Sequence, residues 1–267
     1  MSTSYVHGYS AKENQRLQDQ ASTLTELLHG DSLFPPGSRV LEAGCGVGSQ
    51  TVTLASKNPG VSFTSCDISE LSLEQARRRV QDAGLTNVNF QPADIFHLPF
   101  EPESFDHVFV CFVLEHLPDP VAALLALQKV LKIGGTMTVI EGDHGSAYFH
   151  PDSAAARQAI LCQIRLQAAL GGNALIGREL YPLLRQAGFT EIRVSPRLVY
   201  VDASKPELVD GFIRKTFTAM IEGVRQKALE AEMIEAATFD QGIRDLYRTA
   251  NLPGTFCYTF FKAIGVK

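Results

Sequence analysis

The run Arg39-Val40-Leu41-Glu42-Ala43-Gly44-Cys45-Gly46-Val47-Gly48 constrains this chain more than any other. An apolar strand-like stretch enters three glycines at alternate positions, and helical spacing follows at once. Glycine suits a strand-to-helix turn because it permits positive φ. Its missing Cβ also lets a ligand lie against the backbone at a helix N-terminus. A tight turn that needs glycine for geometry alone is the competing reading of this run by itself.

The surrounding pattern narrows the choice. Short apolar strands are predicted at 39–43, 61–67, 88–91, 106–111 and 136–141. Helices are predicted between them at 49–57, 71–83 and 121–131. The second of these closes at Gly84, and the third opens with Asp119-Pro120, an N-cap acid followed by proline in the first turn. Strands separated by helices of this length imply right-handed βαβ crossovers and a doubly wound α/β fold with a mostly parallel sheet. An amphipathic helix over 11–29 precedes this region. After it come helices at 152–170 and 178–187, a strand at 191–202, a helical stretch at 206–250 and a last strand at 255–263, whose aromatic run 256–261, with Tyr258, is expected to be mostly sheet core.

Two acids take positions that matter in such a sheet. Asp67 ends the second strand, and Asp94 follows the third. Ligands of open α/β sheets bind at the carboxyl ends of the strands, where an acid can accept both hydroxyls of a ribose. Singly, each Asp reads equally as a turn residue or a helix cap; with the glycine loop they form an ordered series. Ser49 stands where a dinucleotide GxGxxG fingerprint requires glycine, and no GxxxxGK[ST] phosphate loop occurs. The ligand expected is therefore a nucleoside without a pyrophosphate.

Together these blocks resemble the class I S-adenosylmethionine-dependent methyltransferases, in the UbiE-like small-molecule branch. The matching pieces are VLEAGCGVG (40–48), Asp67 in FTSCDIS, Ala93-Asp94-Ile95, SFDHVFVCFVLEHLPDP (104–120) and the turn LKIGGTM (131–137). The resemblance covers about residues 38–144, with Glu42 where Asp is commoner and Ile133 where Pro is usual before the glycine pair. It implies a Rossmann-like, seven-stranded sheet with an antiparallel last strand, S-adenosylmethionine as cofactor and S-adenosylhomocysteine as product. By position it implies that Glu42, Gly44, Gly46 and Gly48 form the loop beside the methionine part. Asp67 becomes the ribose acid, Ile68 the neighbour of the adenine ring, Asp94 and Ile95 the adenine-edge pair, and Cys111 a residue near the methionine end.

Methyl transfer from a sulfonium is an in-line displacement, so the reaction forces no catalytic residue unless the acceptor must lose a proton. His144, after the fifth strand, is the candidate base, because its charge changes near neutral pH. Tyr9, His116, Glu141 and Tyr148 are the candidates for contact with the acceptor. Tyr9 belongs to an N-terminal piece expected to act as a helical lid (1–37), before the cofactor core (38–144). Residues 145–267 are expected to hold a helical insertion and the strands that complete the same sheet, as one elaborated domain.

Composition trims the alternatives. With 24 Lys+Arg against 29 Asp+Glu, the net charge of −5 argues against tRNA or rRNA as the acceptor. A methylase of tRNA, rRNA or protein and a non-catalytic cofactor-binding regulator are the alternatives to a small-molecule enzyme. Five scattered cysteines with no CxxC pair read as thiols of a reducing compartment, with no metal site expected. No apolar run reaches membrane-spanning length and no signal-peptide core stands at the start, so a cytoplasmic protein is the expectation.

Overall fold

Alternating apolar strands and capped helices leave a chain few ways to bury its backbone, and a wound sheet is the one realised. The computed structural model describes Arg16 and residues 23–267. Residues 23–29 form the described part of helix α1. There follow β1 (Arg39–Ala43), α2 (Ser49–Lys57), β2 (Ser62–Asp67), α3 (Glu70–Asp82), β3 (Val88–Pro92) and β4 (Phe105–Cys111). Next come a 3₁₀ turn (Leu114–His116), α4 (Pro120–Val130), β5 (Leu131–His150), α5 (Ala154–Ala169), a second 3₁₀ turn (Ile176–Glu179), α6 (Leu180–Gln186) and β6 (Thr190–Val201). The chain closes with α7 (Pro206–Leu208), a π-helix (Val209–Thr218), α8 (Ala219–Gly223), α9 (Arg225–Glu230), α10 (Ala236–Arg248) and β7 (Thr255–Val266).

The strands form one sheet in the order β3-β2-β1-β4-β5-β7-β6. β1 pairs in parallel with both β2 and β4, so the winding reverses beside β1. β2–β3 and β4–β5 are parallel as well. β7 runs antiparallel to β5: Gly134 N–H donates to Lys267 O (3.1 Å) and Lys267 N–H to Gly135 O (3.0 Å). The seven-stranded, mostly parallel sheet with an antiparallel last strand is thus the architecture expected.

Helix starts follow the predicted chemistry. Ser69 Oγ accepts from the N–H of Ser72 (3.2 Å) and Asp119 Oδ1 from that of Ala122 (2.9 Å), with Pro120 in the first turn of α4. Gly84 follows α3 at φ +67.

Two elements differ from expectation. The strand predicted at 136–141 is the middle of the longer β5. Its register jumps between the pairs Phe105↔Leu131 and His107↔Thr136, so the expected LKIGGTM turn is a bulge inside the strand. Gly134 allows the bulge by taking φ +77. The helical stretch at 206–250 is broken, and near its start it is π-helical over Val209–Thr218. Inside that turn Thr216 Oγ1 donates to Gly211 O (2.7 Å), while Gly211 leaves no room for a Cβ beside the Thr23 side chain. A periodicity tuned to 3.6 residues does not signal such widening.

The chain divides into two compact units. One holds Thr25–Glu141, Ile176–Pro196 and Phe261–Lys267. Its core joins Leu41, Val108, Val110, Leu124, Val139 and Phe189. Here the buried Lys262 ammonium donates to Asp31 Oδ1 (2.7 Å) and Ser32 Oγ (2.8 Å). The other unit holds, among the described residues, Arg16, 23–24, Gly142–Leu175 and Arg197–Phe260. Its interior is a ring cluster in which Phe217 lies 4.8 Å from Phe256 and Tyr258 lies 4.7 Å from Phe260, between centroids.

Candidate active site

The glycine loop between β1 and α2 uses its three glycines for different physical ends. All three have positive φ, at +76, +52 and +79. A Cβ on Gly44 would overlap the Val113 side chain, and one on Gly48 would sit 2.8 Å from Ala76 Cβ on α3. Those two are glycine because neighbouring protein atoms fill the space. A Cβ on Gly46 would meet nothing within 4 Å, so only there does the loop present open backbone.

Asp67 ties this loop to the end of β2. Its Oδ2 accepts from the Gly46 N–H (2.8 Å) and its Oδ1 from the Ser69 N–H (2.9 Å). Burial pushes its carboxyl up, and the backbone N–H groups of Ser69, Gly46 and Ile68 oppose that shift. With three backbone donors on its four lone-pair sites, the carboxylate keeps one for a hydroxyl. The next residue, Ile68, is 64% exposed, an apolar surface beside the loop suited to covering a flat ring. Open backbone at Gly46, the half-buried acid and this apolar face fit a bound nucleoside.

Glu42 lies beneath the loop. Its Oε2 accepts from Thr51 Oγ1 (2.7 Å) and Ser65 Oγ (2.6 Å). Complete burial raises it from 4.5 to about 7, although both hydroxyls oppose the rise. Glu42 therefore supports the loop from below. Thr51 and Ser65 lacked any signal in sequence; Ser65 reaches Glu42 because β1–β2 register sets the two opposite. Asp94 caps its own turn, its Oδ1 accepting from the Phe96 N–H (2.9 Å) and its Oδ2 lying 3.3 Å from His97 Nδ1. Ile95 is partly buried against the core. Cys111 ends β4, and burial followed by the Glu141 carboxyl hold its thiol well above the usual range.

The acceptor-side candidates are scattered. Glu141 is fully buried, and its Oε1 accepts from the N–H groups of Val113 (3.0 Å) and Leu114 (2.7 Å). His116 Nε2 lies 3.6 Å from Glu115 Oε1 on the 3₁₀ turn after β4. In the second unit, His144 is buried with Nδ1 2.7 Å from Tyr258 Oη, and its N–H donates to Ala174 O (2.9 Å). Tyr258 was assigned to sheet core by sequence, and its hydroxyl is what the ring cluster adds. It packs on Gly142, where a Cβ would meet the hydroxyl. Tyr148 is 69% exposed on β5. Tyr9, and the lid to which it was assigned, lie outside the described residues. Among the described residues no cluster of His, Cys, Asp or Glu could hold a metal ion, and no helix is long and apolar enough to cross a membrane.

Comparison with known proteins meets this geometry. A family model described as a methyltransferase domain matches residues 35–188. The 27-O-demethylrifamycin SV methyltransferase of Amycolatopsis mediterranei is 30% identical over 239 residues, 88% of this chain and 80% of that protein. A demethylmenaquinone methyltransferase of Staphylococcus aureus is 36% identical over 106 residues, 39% of this chain and 43% of that protein. Several other curated relatives are likewise matched over only 35–54% of their length. Among solved structures, a Haemonchus contortus phosphoethanolamine N-methyltransferase in complex with S-adenosylhomocysteine aligns with a TM-score of 0.55 at 19% identity, covering 95% of this chain and 53% of that one. The chain belongs to the S-adenosylmethionine-dependent methyltransferases, an enzyme family with a Rossmann-like fold and S-adenosylmethionine as cofactor.

Proposed function

We propose that this enzyme methylates a hydroxyl of a small organic acceptor, with His144 as general base and Tyr258 as its hydrogen-bond partner. The observation that carries the reading is the buried 2.7 Å pair between His144 Nδ1 and Tyr258 Oη, set among aromatic rings. A relative matched over 88% of this chain is named for an oxygen-linked methyl group, which favours a hydroxyl acceptor. The net charge of −5 favours a small acceptor over nucleic acid.

When bound, S-adenosylmethionine supplies a methyl group already activated on a sulfonium. The residues proposed to hold it are Gly44, Gly46, Gly48, Asp67, Ile68, Asp94, Ile95 and Cys111, with Glu42 beneath them. What the chain adds is placement, exclusion of water and a destination for the acceptor's proton. An imidazole takes such a proton near neutral pH, and a phenol hydroxyl at Nδ1 fixes the ring's orientation. Residues 38–144 form the proposed cofactor core and 145–267 the proposed acceptor side. Five free cysteines support a reducing, cytoplasmic setting.

Incubation with methyl-labelled cofactor tests the reading, using a panel of hydroxylated small molecules beside tRNA, rRNA and total protein. Label is expected in the small molecules; label confined to RNA or protein would sink the proposal. His144→Gln is expected to lower kcat by about 100-fold with cofactor affinity kept. An unchanged kcat would remove His144 from the chemistry.

A further inference from the structure

The turn after β4 is an unfavourable piece of backbone held in place from β5. Phe112 takes φ +57, a conformation that costs an L residue energy. The Phe112 N–H donates to Ile140 O (2.9 Å), and the next two N–H groups both donate to Glu141 Oε1. Three successive amides of one turn are thus tied to two successive residues of a neighbouring strand. From this turn the Val113 side chain fills the space that a Cβ on Gly44 would occupy. Gly44 is the first residue of the glycine loop, and its N–H donates to Cys66 O (2.8 Å).

We propose that Glu141 is a positioning residue for the cofactor: its buried carboxyl locks the Phe112–Leu114 turn, and Val113 on that turn holds the glycine loop through Gly44. This differs from the acceptor contact expected of Glu141 from sequence, and it rests on the glycine loop being the cofactor site. The other carboxyl oxygen, Oε2, is buried without a hydrogen-bond partner among the described residues, which disfavours a charged group there. Burial, followed by the Glu115 carboxyl, holds Glu141 well above the usual carboxylate range. A neutral acid keeps a carbonyl oxygen for both amides, and so does glutamine.

The test combines amide hydrogen exchange of the unliganded protein with calorimetric titration of S-adenosylhomocysteine, in Glu141→Leu, Glu141→Gln and Val113→Ala. Glu141→Leu should speed exchange at 112–114 and at 44–48, and weaken affinity by about 10-fold or more, as loss of a buried acceptor predicts. Glu141→Gln should restore protection and return affinity to within about 3-fold of the parent, since both acceptor bonds survive. Val113→Ala should speed exchange at 44–48 alone. The proposal is overturned if Glu141→Leu loosens 112–114 while 44–48 and the affinity stay as in the parent. It is overturned equally if Glu141→Gln binds as weakly as Glu141→Leu, which would indicate charge or direct contact. Should Glu141→Leu fail to fold, a folded Val113→Ala with parental exchange at 44–48 and parental affinity overturns it alone. A parent that binds no S-adenosylhomocysteine would instead defeat the cofactor assignment, and the exchange arms would still decide the coupling between the two loops.

Discussion

The two units solve burial with opposite materials. The unit carrying the glycine loop surrounds its candidate site with ionisable groups: Glu42, Asp67 and Glu141 are each raised by burial, and each accepts hydrogen bonds from backbone or hydroxyl donors. The unit carrying His144 surrounds its candidate base with rings, Phe212, Phe217, Phe256 and Phe260 all contacting one another or Tyr258. Buried carboxyls make stability depend on proton activity, whereas rings contribute area and shape that pH leaves alone. The first unit should accordingly carry most of the protein's pH response.

The sharpest way to break that contrast is to titrate stability. Glu42 rises from 4.5 to about 7 on folding, so the folded state holds its proton more tightly. The resulting stability is complete below 4.5 and is lost as pH climbs to 7, about 3 kcal/mol in all. Glu42→Gln removes that loss, so the variant should gain on the parent across this window in denaturant melts. His29 acts with the opposite sign. Burial lowers it from 6.5 to about 4, and the Gln50 side chain only partly opposes that shift. Its contribution is present above 6.5 and disappears as pH falls towards 4, again by about 3 kcal/mol. His29→Leu should therefore gain on the parent at the acid end. Flat differences for both variants would show that these burials carry no titration.

Binding comes next in size. Gly46→Val places a branched side chain at φ +52 in the open space of the loop, and should weaken S-adenosylhomocysteine by about 100-fold in calorimetry. Gly48→Ala should instead lower the melting temperature, because its Cβ meets Ala76 and not the open side. Equal affinity losses in the two would erase the distinction between ligand-facing and packing glycines. Asp67→Ala should cost about 1–3 kcal/mol of cofactor affinity, together with stability lost from the orphaned Gly46 and Ser69 amides. In the aromatic unit the effect should be smallest: Tyr258→Phe removes the hydroxyl on His144 for about 1 kcal/mol of stability. Its diagnostic is the kcat–pH profile, which should shift if the hydroxyl orients the base and stay put if it only fills space.

The same contrast explains what could be read in sequence. Glycines at positive φ, an acid at the end of β2 and an Asp-Pro helix start are local chemistry, so the elements β1 to α4 and the glycine loop with its acid were legible from spacing, whereas the role proposed for each cofactor residue came from the resemblance. Glu141 was visible as an acid after the fifth strand, but its grip on Val113 and Leu114 depends on how β4 and β5 lie side by side. Tyr258 looked like sheet core because an alternating aromatic strand says nothing about where one hydroxyl points. The π-helix was missed because a period of 3.6 does not register a widened turn, and the close fit of Gly211 against the Thr23 side chain joins residues far apart in sequence.

The way the strands pass between the units also bears on synthesis. β5, β6 and β7 each begin in one unit and end in the other. The glycine-loop unit accordingly needs Phe261–Lys267, whose backbone closes onto Gly134 and Gly135. On the ribosome, this unit cannot seal that edge of its sheet until the chain has been made through Lys267. Until then β5 presents an open edge, the kind that recruits chaperones or a second nascent chain.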